Sequence, residues 1–208
     1  MNAATSITLG ANVSGTIVNA TTNAATVTGG TNTGGINITM AGATGAKTIT
    51  LGAGNDVIVT GAAADVIAAG NGNNSITGAE GADTMSGGTG VDTYAYGSIA
   101  TLAAQTGITL ATADNITGFA TGVDKIKTGT AGAAGNFSAA GAAAASFAAA
   151  ETAANVVFAA GNEVYYYTHT AADGGLLFVD TAAGAVATAV IRLVGLGAGG
   201  VVAADIIA

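Results

Sequence analysis

The sequence predicts an all-β protein, a parallel β-solenoid closed by a C-terminal cap that holds an Ala-rich helix and a few antiparallel strands. Three observations predict it. Residues 51–95 repeat with a period of nine; upstream, single apolar residues recur inside short β-favouring triplets at similar intervals; downstream, an Ala-rich run gives way to clusters of Val, Ile, Leu and Tyr. Thr, Val and Ile spaced between Gly and Asn turns are the composition of many short strands.

Composition narrows the function. With 4 Lys+Arg against 12 Asp+Glu, a net charge of -8 and no Cys, the chain is poorly suited to nucleic acid. It has no means to form disulfides, and with one histidine, His169, it has no zinc site of several His or Cys ligands. The mean hydropathy of +0.57 comes largely from alanine. Neither the run 139–150, which stops at Glu151, nor the stretch before Ile191, cut by Arg192, supplies a membrane span of about 20 strongly apolar residues. Residues 1–10 lack the basic and apolar regions of a signal peptide, so export would need another signal. Disorder is disfavoured because charged residues are only 8% and Pro is absent while β-branched residues abound.

Aligned at nine, the repeat reads LGAGNDVIV from Leu51, TGAAADVIA from Thr60, AGNGNNSIT from Ala69, GAEGADTMS from Gly78 and GGTGVDTYA from Gly87. The sixth position is Asp56, Asp65, Asn74, Asp83 and Asp92; the eighth is Ile58, Ile67, Ile76, Met85 and Tyr94. Six residues make a turn in which glycine lets carbonyls converge, and three make a strand with one inward apolar side chain. Two units complete a coil, so loops 18 residues apart stack.

This pattern resembles the GGxGxDxUx nonapeptide of RTX proteins, which bind Ca²⁺ in a parallel β-roll. The resemblance implies Ca²⁺ between the Asp56 and Asn74 loops, the Asn74 and Asp92 loops, and the Asp65 and Asp83 loops. Its ligands would come from Gly52, Gly54 and Asp56, Gly61 and Asp65, Gly70, Gly72 and Asn74, Gly81 and Asp83, and Gly88, Gly90 and Asp92. Folding of the segment would then depend on calcium. Asn74 gives up a formal charge, Ala63 and Ala79 replace glycines at the fourth and second positions, and Glu80 lies near enough to compensate. The competing reading is a Gly/Asn turn array whose carboxylates are merely solvated.

Residues 1–50 read as solenoid coils without calcium ligands, since Ile7, Ile17, Val27, Ile38, Ile49 and Ile58 follow one another at 10, 10, 11, 11 and 9 residues. Alternation turns Ser6, Thr8, Thr16, Thr26, Thr28, Asn37, Thr39, Thr48 and Thr50 outward as ladders. These resemble the threonine faces of ice-binding solenoids, with plain β-propensity or a packing face between protomers as the alternative.

Residues 96–208 read as cap and export region. Asp114 to Ile126 resembles the DxIxxFxxGxDxI segment that follows the β-roll in serralysin-type proteins, with Ile116, Phe119 and Ile126 closing the solenoid and Asp114 and Asp124 capping turns in preference to binding another ion. A helix is predicted over 138–154 and strands over 156–158, 164–168, 176–180 and 186–193, with a turn at Asp173-Gly174-Gly175 and His169 in a loop. Val201 to Ala208 resembles the uncleaved C-terminal signal of type I (ABC transporter) secretion.

No HExxH, no G-x-S-x-G and no cysteine is present, so no catalytic constellation is visible and the chain reads as a non-enzyme. The function expected is a secreted, calcium-dependent structural protein on the cell surface or outside the cell. It would self-assemble into a surface layer, sheath or filament, with itself, the type I secretion machinery and surface lipopolysaccharide or another glycan as partners. The alternatives are an adhesive or ice-binding solenoid and the detached secretion module of a larger protein.

Overall fold

In a computed structural model the described residues are 5–18, 23–133, 135–161, 163–182 and 186–208. The chain lays down β1 (Thr5–Thr8), β2 (Gly15–Val18), β3 (Ala25–Thr28), β4 (Ile36–Thr39) and β5 (Lys47–Thr50), then the shorter β6 (Val57–Val59), β7 (Val66–Ala68), β8 (Ser75–Thr77), β9 (Thr84–Ser86) and β10 (Thr93–Ala95). After α1 (Ile99–Gln105) come β11 (Asp114–Thr117), β12 (Lys125–Lys127) and β13 (Phe137–Ala139). The chain ends with α2 (Phe147–Ala159), β14 (Tyr165–Thr170), β15 (Gly174–Val179), β16 (Ala189–Val194), a 3-10 turn at Ala203–Asp205, and β17 (Ile206–Ile207).

Odd and even strands of the repeat region alternate between two parallel sheets, as expected if each unit is half a coil. Among the described residues one sheet runs β1-β3-β5-β7-β9-β11-β16-β15-β14-β13 and the other β17-β12-β10-β8-β6-β4-β2. Register aligns the inward residues into two apolar columns. Ile7, Val27, Ile49, Ile67, Met85, Ile116 and Leu193 form one. Ile17, Ile38, Ile58, Ile76, Tyr94, Ile126 and Ile206 form the other. Burial of each large side chain contributes about 1.5–3 kcal/mol. The intervening residues face outward, so Thr26, Thr48 and Thr84 share one ladder and Thr28 and Thr50 another.

The C-terminal region differs from its predicted form. Its antiparallel strands β14, β15 and β16 do not stand apart: β16 pairs in parallel with β11, so they extend one solenoid sheet, while β17 extends the other beside β12. Ile116 and Ile126 therefore build one more coil rather than the end of the stack. The helix lies over 147–159, not 138–154, because Ser146 Oγ accepts the Ala149 N–H and starts it there, while Ser138 is in β13. Residues 156–158, predicted as a strand, form its last turn, where Phe158 packs with Ala150, Ala154, Tyr166, Leu176 and Phe178. His169 lies in β14 opposite Gly175, not in a loop, and Gly174 and Gly175 belong to β15, not to the turn. Helix α1 had no counterpart in the sequence reading; it inserts between β10 and β11 with Leu102 buried.

Candidate metal centre

The sixth residue of each nonapeptide stands at the end of the turn, two residues before the inward apolar one. Period-2 alternation therefore points it inward too. Asp56, Asp65, Asn74, Asp83 and Asp92 are all at most 2% exposed. These carboxylates are not solvated, which removes the plain turn-array reading.

Stacking arranges them in two columns held by one repeated contact, in which Oδ1 accepts the backbone N–H of its counterpart a coil earlier. In the first column Asp56 N–H donates to Asn74 Oδ1 at 3.0 Å, Asn74 N–H to Asp92 at 3.0 Å and Asp92 N–H to Asp124 at 2.9 Å. In the second, Lys47 N–H donates to Asp65 at 2.6 Å, Asp65 N–H to Asp83 at 2.8 Å and Asp83 N–H to Asp114 at 2.8 Å. The sequence reading missed this last member. Asp114 follows Asp83 by 31 residues, not 18, because α1 is inserted between them. Asp124 does cap its turn, Oδ2 accepting the Ala120 N–H at 2.8 Å.

The other carboxylate oxygen carries the chemistry. Oδ2 of Asp65, Asp83, Asp92 and Asp114 is buried and has no hydrogen-bond partner. A buried anionic oxygen without a donor is costly, and it is relieved either by taking up a proton or by facing a cation. Among the described residues no three His, Cys, Asp or Glu side chains converge on one point. An ion here would be held by carboxylates of stacked loops together with backbone carbonyls, the all-oxygen surroundings of a hard cation.

The glycines make that stacking possible. A Cβ on Gly70 or Gly88 would fall 2.0 Å from Gly52 O or 1.9 Å from Gly70 O, so second-position carbonyls lie directly under the next loop. Fourth-position Gly72, Gly81 and Gly90 likewise lie against the carbonyls of Gly54, Ala63 and Gly72. Gly61 lies over Ala43 O. Ala79, standing where the repeat has glycine, has a left-handed φ of 63°, so its loop is strained, whereas Ala63 is outside that region. Glu80 is exposed.

Electrostatics follow from burial. Desolvation, then the facing Asp114 and Asp65 carboxylates, pushes Asp83 up to about 8. Desolvation pushes Asp114 up to about 7, and Asp56, Asp65 and Asp92 are raised by the same cause. The Tyr96 hydroxyl lies buried beside Asp114 and is pushed up by desolvation and then by that carboxylate. One internal cation heads the second column: Lys47, 1% exposed, whose Nζ donates to the Asn23 and Gly45 carbonyls.

Two sheets of parallel strands joined by turns with inward carboxylates define a calcium-binding β-roll. The family model of the RTX calcium-binding nonapeptide repeat matches residues 39–67 and 59–94 in 4 copies. Residues 39–94 therefore carry RTX calcium-binding nonapeptide repeats, and RTX nonapeptide repeats bind Ca²⁺. No curated protein matches the chain. RTX repeat proteins are generally extracellular and the family is linked with type I secretion. Among the described residues no helix is long and apolar enough to cross a membrane.

Proposed function

We propose that this protein is a secreted structural protein that folds on Ca²⁺ and self-associates into an extracellular surface layer, sheath or filament. The observation that carries the calcium part is the set of buried, unpartnered Oδ2 atoms on Asp65, Asp83, Asp92 and Asp114. The ligands in this reading are the carboxylates of Asp56, Asp65, Asp83, Asp92 and Asp114, Asn74 Oδ1 on its Asp56 side, and carbonyls of the loops around Gly52, Gly54, Gly61, Gly70, Gly72, Gly81, Gly88 and Gly90. Residues 51–95 take up the ions, 1–50 lengthen the roll, and 96–208 close it and carry the signal for an ABC export machinery. Low cytosolic calcium keeps the chain export-competent, and external calcium folds it.

Self-association is supported by the free edges and the faces. Among the described residues, strands β1 and β2 each stand last in their sheet and pair on one side, leaving backbone donors and acceptors for another chain. The outward ladders from β3 to β10 are Thr, Ser, Asn, Val and Ala, without a charge to oppose contact. Bound ions or acidic loops would also bridge protomers or anionic lipopolysaccharide. Light scattering and electron microscopy of the purified protein in millimolar CaCl₂ should show ordered polymers that disperse in EGTA, and a monodisperse monomer in both would overturn self-assembly.

The register of Thr26 with Thr48 and Thr28 with Thr50 favours a second reading, an adhesive or ice-binding face. Ice shaping abolished by Thr28→Tyr with Thr50→Tyr would select it.

A further inference from the structure

We propose that Asn74 is a built-in substitute for one calcium ion, its side-chain amide closing the space between loops 69–74 and 87–92 that the neighbouring levels offer to a cation. Asn74 is 2% exposed and belongs to the first column. Its Oδ1 accepts the Asp56 N–H at 3.0 Å, the contact every member of the columns makes, and this fixes the orientation of the amide. Nδ2 must then occupy the position that Oδ2 takes in an aspartate. At Asp65, Asp83, Asp92 and Asp114 that oxygen has no partner, whereas Asn74 Nδ2 lies 3.2 Å from Gly72 O, 3.1 Å from Gly87 O and 2.9 Å from Asp92 Oδ1.

Three oxygens that an ion would use thus share the two hydrogens of the amide instead. A cation placed among them would meet the positive end of the N–H dipoles and one carboxylate fewer, so this level takes no Ca²⁺. Lys47 does a similar thing at the head of the second column, where its ammonium lies between the Asn23 and Gly45 carbonyls of successive coils. Asn74 therefore gives the array a metal-independent fastener at its middle repeat, joining two loops before any ion arrives, and it lowers the ion count by one.

The inference rests on the calcium-binding reading but not on self-association. Native mass spectrometry of the full chain in CaCl₂ should find one more ion on Asn74→Asp than on the wild type. Far-UV circular dichroism in EGTA should show less β-structure for Asn74→Asp and for Asn74→Ala than for the wild type. Equal, non-zero counts in wild type and Asn74→Asp would overturn the role of Asn74 alone; a count of zero in the wild type would overturn the calcium reading itself. A crystal of the wild type grown in CaCl₂ needs no variant to fold: an amide within reach of Gly72 O, Gly87 O and Asp92 Oδ1 supports the assignment, and an ion among them refutes it.

Discussion

Asp65 donates its backbone N–H to the Asp83 carboxylate at 2.8 Å, and the same carboxylate keeps its second oxygen buried and unpartnered. One side chain therefore has two separable duties, fastening the coil before it and facing a cation. Asn is able to perform the first but has no second oxygen for the other. Asp83→Asn is expected to keep the metal-free fold at least as stable as the wild type while losing calcium affinity. Asp83→Ala should lose both, because the buried Asp65 N–H is left without an acceptor at a cost of about 1–3 kcal/mol. Chemical denaturation with and without CaCl₂ distinguishes the two, and identical behaviour of the variants would deny the division of labour.

The pH dependence reverses with metal. Asp83 and Asp114 are pushed up to about 8 and about 7 from an ordinary value of 3.8, so the metal-free fold binds more protons than the unfolded chain between those limits. Its stability should fall as pH rises from about 4 to about 8 and change little from this source beyond. Calcium requires the ionised forms, so the stabilisation it gives should grow over the same window. Melting curves at about pH 5 and about pH 8.5, each in EGTA and in CaCl₂, are expected to cross over; a calcium increment larger at the acid pH would contradict the assignment.

Backbone strain at Ala79 is removable. Its φ of 63° lies in the left-handed region, and Ala79→Gly is expected to raise stability by about 1 kcal/mol. Gly88→Ala should act oppositely and more strongly, since its Cβ would fall 1.9 Å from Gly70 O and force the coils apart. Thermal melts of the two variants in CaCl₂ give the comparison.

The C-terminal strand is fastened by Asp205, which is fully buried and accepts from Gly122 N–H at 2.9 Å, Val202 N–H at 3.1 Å and Lys125 Nζ at 3.3 Å. Asp205→Ala leaves these donors unpaired and is expected to cost about 3 kcal/mol or more. Hydrogen exchange should show the loss of protection at residues 206–207 and in β12 first.

The β-roll was legible because its information is local. A period of nine fixes which residues point inward, and the same alternation that buries Ile58 buries Asp56. The C-terminal half was legible only in part. Strands such as β14 and β16 show in their composition, but the pairing of β16 with β11 is a long-range choice, and nothing near Asp114 in the chain reveals that it stacks on Asp83 across an inserted helix. The Ala-rich run misled for a related reason: alanine favours helix throughout 138–154, and Ser146, able to cap, decides where it begins. The role of Asn74 was not visible either, since the sequence shows a missing charge and only the stacked carbonyls show what the amide does there.

The most direct test is the far-UV circular dichroism and melting temperature of the full chain in EGTA against millimolar CaCl₂. The buried, unpartnered carboxylate oxygens predict that chelation abolishes most of the β-signal of the roll and lowers or removes the transition, with recovery on adding calcium. A chelated sample with the same spectrum and the same melting temperature would contradict the account.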